Sequence, residues 1–301
     1  MSMDAEEIEQ AVEQRRIWLN TQLDVAAATL AVSVAGGPVN TYDMRSVGAV
    51  ARDESGDGGE VWLRVVVEDA DYEPVCRWDG NVAANAILGV AKPTVLRWQD
   101  WRHTEEYLRG RRLRGEVMTL APGTTVAPDG VLREDPQLPD SWWEELGTSL
   151  SQLANHPMEW HYELGAVNTT IRGVNHHFGT TLPEKIFADI QWATAHADLH
   201  WGNLRHPQAC ILDWESWRPM FAGYDLATLY CASLLHPSTA RRIRDMPELG
   251  TRSGHIAMLS AICRYLSIAG EGSDWDLLEP HLRTEGNSIL SELTTTGGTP
   301  R

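Results

Sequence analysis

The sequence is poor in lysine and lacks long apolar runs, and both shortages exclude classes of partner. Of the 25 basic residues only Lys92 and Lys185 are lysine, which leaves 23 arginines, and the formal net charge is −17. Phosphate backbones bind to basic surfaces, so this balance argues against a nucleic-acid partner. No apolar run approaches the roughly 20 residues of a membrane span. We therefore expect neither a nucleic-acid nor a membrane partner.

Paired cysteines and a leader segment are also lacking. The chain has four cysteines far apart and without a Cys-x-x-Cys spacing, which predicts four reduced thiols: Cys76, Cys210, Cys231 and Cys263. The first residues are acidic where a signal peptide would be basic and then apolar. We expect a soluble, cytoplasmic protein. Its acidic balance suits a cationic small molecule, although a solvated acidic surface is the commoner cause.

One stretch, His196–Glu215, carries side chains of the types that phosphoryl transfer requires. Asp198 and Asn203 stand five positions apart, a spacing that fits one wound loop. The segment Leu204–Leu212 then predicts a short hairpin with a turn at Pro207 and apolar residues on both arms. Because a hairpin brings its open ends together, Asn203 and Asp213 are expected to converge.

This layout matches the catalytic loop of kinases, in which His-x-Asp-x-x-x-x-Asn precedes a second aspartate. In that arrangement Asp198 accepts or orients the proton of the substrate hydroxyl. Asn203 and Asp213 would ligate Mg²⁺ through oxygen, the ligand atom that a hard cation prefers. The sequence therefore predicts a magnesium-dependent kinase site.

Three motifs in order resemble those of the aminoglycoside phosphotransferase and choline kinase family, whose members are small-molecule kinases with a protein-kinase-like fold. They are His-Ala-Asp-Leu-His-Trp-Gly-Asn, Ile-Leu-Asp-Trp-Glu and Gly-Tyr-Asp-Leu-Ala, which ends at Ala227. Ala197 departs from the usual glycine, a mild change unless the loop needs a positive φ. The resemblance implies ATP or GTP as donor and a small hydroxylated acceptor, such as an aminoglycoside-like antibiotic, a sugar or an amino alcohol. It identifies neither the acceptor nor its binding residues.

The resemblance also implies supporting residues around the loop. Asp225 would brace the catalytic loop, and His196 would hydrogen-bond its backbone. Glu215 would meet a second-shell water or a substrate amine, with a surface carboxylate as the alternative. A late group of acidic residues would suit a polyamine, although helix capping and solvation explain it as well: Glu271, Asp274, Asp276 and Glu279.

The order of predicted elements indicates an α+β protein of two lobes. Residues 1–120 form a small lobe with a leading helix at 3–19, a helix at 79–88 and an antiparallel five-stranded sheet: Leu30–Val34, Val47–Arg52, Val61–Val67, Thr94–Trp98 and Arg112–Leu120. Residues 121–293 form a larger helical lobe, with helices from Asp140 and at Leu164–Phe178, Leu182–Trp192, Tyr224–Leu235, His255–Ile268 and Trp275–Leu293. Residues 294–301 are expected to be a flexible tail.

The nucleotide-covering lobe departs from the kinase pattern. Where a kinase has a strand lysine paired with a helix glutamate, the strand here offers Arg64, and the following helix has no acidic residue. Asn81 or Asn85 could hydrogen-bond Arg64 more weakly. By the fold, backbone groups from Met118 to Leu120 would bind the adenine edge.

Two alternatives to an active kinase stay open. Arg64 in place of the strand lysine, and the following helix without an acidic partner, allow a catalytically weak or inactive nucleotide-binding relative. A histidine-rich cluster also allows a zinc metallohydrolase, with ligands among His196, Asp198, His200 and His206.

Overall fold

The computed structural model describes residues 5–41, 44–56, 58–69, 78–102, 111–157, 163–269 and 274–295. The chain divides into two compact units, one of Met1–Asn85 with Pro93–Ala121 and the other of Ala86–Lys92 with Pro122–Arg301. Several predictions lie outside the described residues: the start of the leading helix at 3–4, Glu271, and residues 296–301 of the tail.

The first unit is a helix followed by an antiparallel sheet. Helix α1 spans Ala5–Thr29, and the strands are β1 Val32–Val34, β2 Val39–Asn40, β3 Ser46–Asp53, β4 Glu60–Asp69, β5 Val95–Arg102 and β6 Arg111–Thr119. Five strands lie in the order β1-β3-β4-β6-β5, and β2 pairs with β3 as a sixth. The predicted five strands are all present.

One face of this sheet forms the core of the first unit. Alternate residues of β3 and β4, such as Ala49 and Leu63, are fully buried together with Leu19 and Leu23 of α1. This is the period-two pattern of a strand with one covered face. The leading helix ends at Thr29, later than predicted, because Leu23, Ala26 and Ala27 also pack in this core.

The helix predicted at 79–88 is shorter in the structure. Helix α2 covers Gly80–Ala83 and continues as a 3₁₀ turn at Ala84–Ala86. The Asn85 side chain then bonds both backbone groups of Val95, donating to the carbonyl at 2.8 Å and accepting from the N–H at 3.0 Å. These bonds tie the helix to the start of β5.

The second unit is mostly helical. Its helices are α3 Asp140–Ala154, α4 Glu163–Phe178, α5 Tyr224–Cys231, α6 Pro237–Arg244, α7 Arg252–Ile268 and α8 Glu279–Thr295. Two small antiparallel sheets accompany them. One joins β7 Thr124–Thr125, β9 Leu204–His206 and β10 Cys210–Ile211, and the other joins β8 Trp192–Ala195 and β11 Arg218–Phe221.

The predicted helix at Leu182–Trp192 is wrong. Only the 3₁₀ turn Glu184–Phe187 is helical, Asp189 has a left-handed φ of 61°, and Trp192 begins β8. The segment leaves the helical conformation because Trp192 begins β8, which pairs with β11. The rings of Trp192 and Phe221 lie 4.8 Å apart across this pair. Tertiary packing therefore overrides the local helical pattern.

Helix α6 was not predicted, because its sequence is polar and short. Pro237 nevertheless occupies the first-turn position that proline favours.

Across the described part of the chain, no helix combines the length and the apolar content that crossing a bilayer would demand.

Candidate active site

The predicted hairpin is present and brings Asn203 close to Asp213. Strands β9 and β10 pair antiparallel, with Leu204 opposite Ile211. The ladder extends one step further, because the Leu212 N–H donates to the Asn203 carbonyl at 2.8 Å. Asp213 follows directly, so the two predicted metal ligands lie at the adjoining open ends of the hairpin.

A side chain closes the loop from Asp198 to Asn203. The Asn203 amide nitrogen donates to the Asp198 carbonyl at 2.9 Å and lies 3.3 Å from Nε2 of His200. Because the amide nitrogen is engaged with the loop, the amide oxygen is the atom of Asn203 that can bind a cation. The loop thus fixes both the position and the orientation of this side chain.

Asp225 holds the start of the loop. Its two carboxylate oxygens accept from the backbone N–H groups of His196 and Ala197, at 2.8 and 2.9 Å. Asp225 lies in the first turn of α5 and is buried, and this burial raises the pKa of its carboxyl even though His196 and the two amides oppose the shift. The side chain spans the two residues that precede Asp198.

His196 joins the loop to the end of the hairpin. The side chain is fully buried, its Nε2 donates to the Leu212 carbonyl at 2.8 Å, and its ring lies edge-on to Trp214 with centroids 4.9 Å apart. The ring therefore supports the loop and offers no exposed group to a substrate.

Two residues of the site have backbones in the left-handed region. The φ angle is 64° at Ala197 and 60° at Asp213. A residue with a Cβ pays roughly 1–2 kcal/mol for this conformation. The substitution of alanine for glycine at position 197 is therefore not mild, because the loop does need a positive φ.

Arg264 of α7 contacts the loop that carries Asp198 directly, and sequence reasoning missed it. Its Nη1 donates to the Ala197 carbonyl at 2.6 Å, and its Nη2 forms a hydrogen-bonded ion pair with Oδ1 of Asp198. Burial alone would raise the pKa of Asp198, but the charge of Arg264 outweighs it and holds that pKa below its usual range. The only sequence signal was a single arginine within an otherwise apolar helical stretch.

The tryptophans near the motif belong to the core. Trp201 is fully buried, stacks on Trp142 at 6.1 Å and donates to Ser233 at 2.8 Å. Trp214 and Trp217 are each 2% exposed. They are structural side chains and present no stacking surface to a ligand.

Glu215 is also buried, so its interpretation as a surface carboxylate is wrong.

The late acidic segment reaches the loop through an aromatic side chain. The ring of Trp275 stacks on Tyr265 at 4.7 Å and lies edge-on to His200 at 6.0 Å. Glu279 pairs with Arg283 at 2.8 Å, and both side chains are exposed on the surface of α8. This agrees with the interpretation of Glu279 as a solvated side chain. The side chains of Glu271 and Asp274 lie outside the part of the chain that is described.

In the first unit, Arg64 has an acidic partner from an unexpected element. Arg64 Nη1 lies 3.5 Å from Oε2 of Glu116, on the neighbouring strand β6, and the Asn81 amide donates to the same oxygen at 2.9 Å. The Glu116 side chain is 1% exposed and that of Arg64 is 12% exposed. The carboxylate missing from the helix is therefore supplied by a strand.

The other residues predicted to contact the nucleotide lie near this pair. Met118 is two positions beyond Glu116 on β6, pairs with Trp62 and is 8% exposed. Gly48 faces the Trp62 ring, and a Cβ there would overlap it. Because alternate residues share a face, Arg64, Glu116 and Met118 lie on the sheet face opposite α1. Leu120, half-buried, follows the end of β6.

The geometry does not support a zinc site. Among the residues that are described, no three His, Cys, Asp or Glu side chains gather closely enough to hold a metal ion. The His196 ring faces the Leu212 carbonyl, and Nε2 of His206 lies 2.8 Å from the Thr124 hydroxyl. Two of the four supposed ligands are thus engaged elsewhere.

Comparison with known proteins identifies the fold. No protein-family model and no curated protein matches the chain. Among solved structures, an amicoumacin kinase in complex with AMP-PNP and Ca²⁺ is similar with a TM-score of 0.54 and 11% identity, over 94% of this chain and 96% of that one. A choline kinase from Cryptosporidium parvum is similar with a TM-score of 0.52 and 12% identity, over 89% and 91%. These likenesses confirm the predicted α+β, protein-kinase-like fold.

Proposed function

We propose that this protein is a small-molecule kinase that transfers the γ-phosphoryl group of ATP to a hydroxyl group. The observation that carries the proposal is the convergence of Asp198, Asn203 and Asp213 on one loop and the adjoining hairpin end. A fold shared with structures of two small-molecule kinases supports it, one of them bound to an ATP analogue and a divalent cation. GTP as donor is the nearest variant of the proposal.

The side chains of the hairpin ends fit a magnesium ion. Asn203 would supply its amide oxygen and Asp213 its carboxylate, and oxygen ligands of this kind suit a hard cation. When bound, Mg²⁺ neutralises charge on the phosphates of the nucleotide. The loop keeps Asn203 oriented for this purpose through its bond to the Asp198 carbonyl.

Asp198 would orient the acceptor hydroxyl and receive its proton. Arg264 holds the pKa of this carboxyl low, so Asp198 is ionised at neutral pH and is a weak base. A weak base suffices where the transition state is loose, because proton transfer from the hydroxyl is then not advanced. Its main contribution is to position the attacking oxygen.

Arg64 would bind nucleotide phosphate in place of the usual lysine. A guanidinium donates to phosphate through two N–H groups. Glu116, whose carboxylate also accepts from the Asn81 amide, steadies it from one side. Backbone groups from Met118 to Leu120 would bind the adenine edge. An arginine with a buried carboxylate partner supports an active enzyme over an inactive relative.

The second candidate is a catalytically weak nucleotide-binding protein. The absence of lysine from β4 and the left-handed Ala197 both favour it, because each changes a group close to the proposed chemistry. It predicts nucleotide binding without a phosphorylated product. An active kinase predicts both.

The acceptor is proposed to be a small compound with a hydroxyl group, such as a sugar, an amino alcohol or an aminoglycoside-like antibiotic. The net charge of −17 favours acceptors that carry amines.

A two-stage experiment tests the proposal. Thermal shifts with Mg-ATP and Mg-GTP first establish which nucleotide binds, and mass spectrometry on a panel of hydroxylated acceptors then detects a gain of one phosphoryl group. Asp198→Asn serves as the negative control for transfer. Nucleotide binding without any phosphorylated product would favour the catalytically weak nucleotide-binding protein. Stoichiometric zinc in the purified protein, measured by elemental analysis, would favour a zinc metallohydrolase.

A further inference from the structure

The loop that carries Asp198 is held at both backbone groups of one residue, Ala197. Asp225 accepts from the N–H of Ala197, and Arg264 donates to the carbonyl of the same residue. Ala197 has a φ of 64°, a conformation that a residue with a Cβ keeps only when its surroundings over-determine it. Arg264 therefore acts on a residue whose conformation is strained.

The same guanidinium also binds the side chain that follows. Its Nη2 pairs with Oδ1 of Asp198, so one planar group contacts the backbone of residue 197 and the carboxylate of residue 198. The two side chains remain partly exposed, at 30% for Arg264 and 25% for Asp198.

We propose that Arg264 is a positioning residue, which fixes the rotamer of Asp198 and the left-handed conformation of Ala197. The catalytic consequence of this inference rests on the proposed kinase function, whereas the structural consequence does not. Lysine could not replace arginine fully, because one ammonium cannot match the two-pronged geometry of the guanidinium.

The first experiment measures the loop itself, without any ligand. Hydrogen exchange of the His196 and Ala197 amides is compared in wild type, Arg264→Gln and Arg264→Lys. Loss of the charged donor should speed exchange by about tenfold in the glutamine variant and by less in the lysine variant. Unchanged protection in the glutamine variant would overturn the proposal.

A matched control lies on the same helix. Arg252 at the start of α7 also donates its guanidinium to a backbone carbonyl, that of Ile186 at 3.1 Å. Arg252→Gln should leave exchange in the catalytic loop unchanged. Equal acceleration in the two glutamine variants would mean a general loosening of α7 and would count against a specific role for Arg264.

The second experiment separates positioning from binding. Formation of ADP from Mg-ATP, with water or an identified acceptor as the phosphoryl acceptor, should fall about 10²-fold in Arg264→Gln, while the Kd for Mg-ATP changes less than threefold. Arg264→Lys should recover part of the rate. Unchanged turnover, or a Kd that rises as much as turnover falls, would contradict the inference. If wild type neither binds nor turns over Mg-ATP, the kinase proposal fails, and the exchange experiment still decides the role of Arg264.

Discussion

The loop that carries Asp198 and the sheet face around Arg64 differ in how the chain builds them. The loop takes Asp198, Asn203 and Asp213 from one short stretch, joined by local hydrogen bonds and a tight hairpin. The sheet face takes Arg64 and Glu116 from two strands that are neighbours in space and far apart in sequence. The loop keeps the residue spacing of the kinase motif, whereas the sheet face brings a cation and a carboxylate together from two strands.

This difference shows which part of the chemistry tolerates replacement. A proton acceptor and two metal ligands must meet with fixed geometry, so their spacing along the chain is constrained. A phosphate-binding cation needs charge and a steady partner, and these can come from another strand. Mutations in the loop should therefore cost more activity than mutations on the sheet face.

The largest effect is expected at Asp198. Asp198→Asn removes the proton acceptor while keeping its shape, so turnover should fall by about 10²–10⁴-fold and Mg-ATP binding should persist. Product formation and isothermal titration measure the two quantities. Asp140→Asn, which alters an exposed carboxylate paired with Arg242, provides the control. Unchanged turnover in Asp198→Asn would show that Asp198 is not the proton acceptor.

A smaller effect is expected at Asp213, and it should appear in binding. Asp213→Asn removes a negative charge from the proposed magnesium site, so the Kd for Mg-ATP should rise by at least the roughly 10–100-fold that loss of an outer-shell partner costs. Titration of Mg²⁺ at fixed ATP measures it. A variant whose affinity for Mg-ATP matches wild type would show that Asp213 is no ligand.

The contrast also explains what sequence could and could not predict. The hairpin and the meeting of Asn203 with Asp213 were predictable, because turn residues and spacing are local signals. The contacts of Arg264 and Glu116 were not, because each acts on a residue more than fifty positions away. The helix predicted at Leu182–Trp192 was wrong because pairing of β8 with β11 overrode local periodicity.

A third effect is expected on the sheet face. Glu116→Gln keeps the shape of the side chain but removes the charge that steadies Arg64, so the Kd for Mg-ATP should rise about tenfold with little change in turnover at saturation. Glu68→Gln is a matched control, since Glu68 is another buried carboxylate on this sheet and pairs with Arg45 and Arg112. If Glu68→Gln weakened Mg-ATP binding as much as Glu116→Gln does, the loss of affinity would reflect the stability of the sheet and not the contact with Arg64.

The smallest effect concerns stability, at the left-handed residue Ala197 of the loop. Ala197→Gly removes the Cβ from a left-handed residue, and Ala195→Gly removes one from the neighbouring strand β8. Both alanines are buried, so the lost methyl packing and the added chain entropy are similar in the two variants.

The difference between these two variants isolates the strain in the loop. Urea unfolding should show Ala197→Gly to be more stable than Ala195→Gly by about 1–2 kcal/mol, the cost of a left-handed residue with a Cβ. Equal stabilities would mean that the loop relaxes around Ala197 at no cost. Arg264 and Asp225 would then hold a conformation that the chain adopts without them, and the loop would owe its geometry to the hairpin alone.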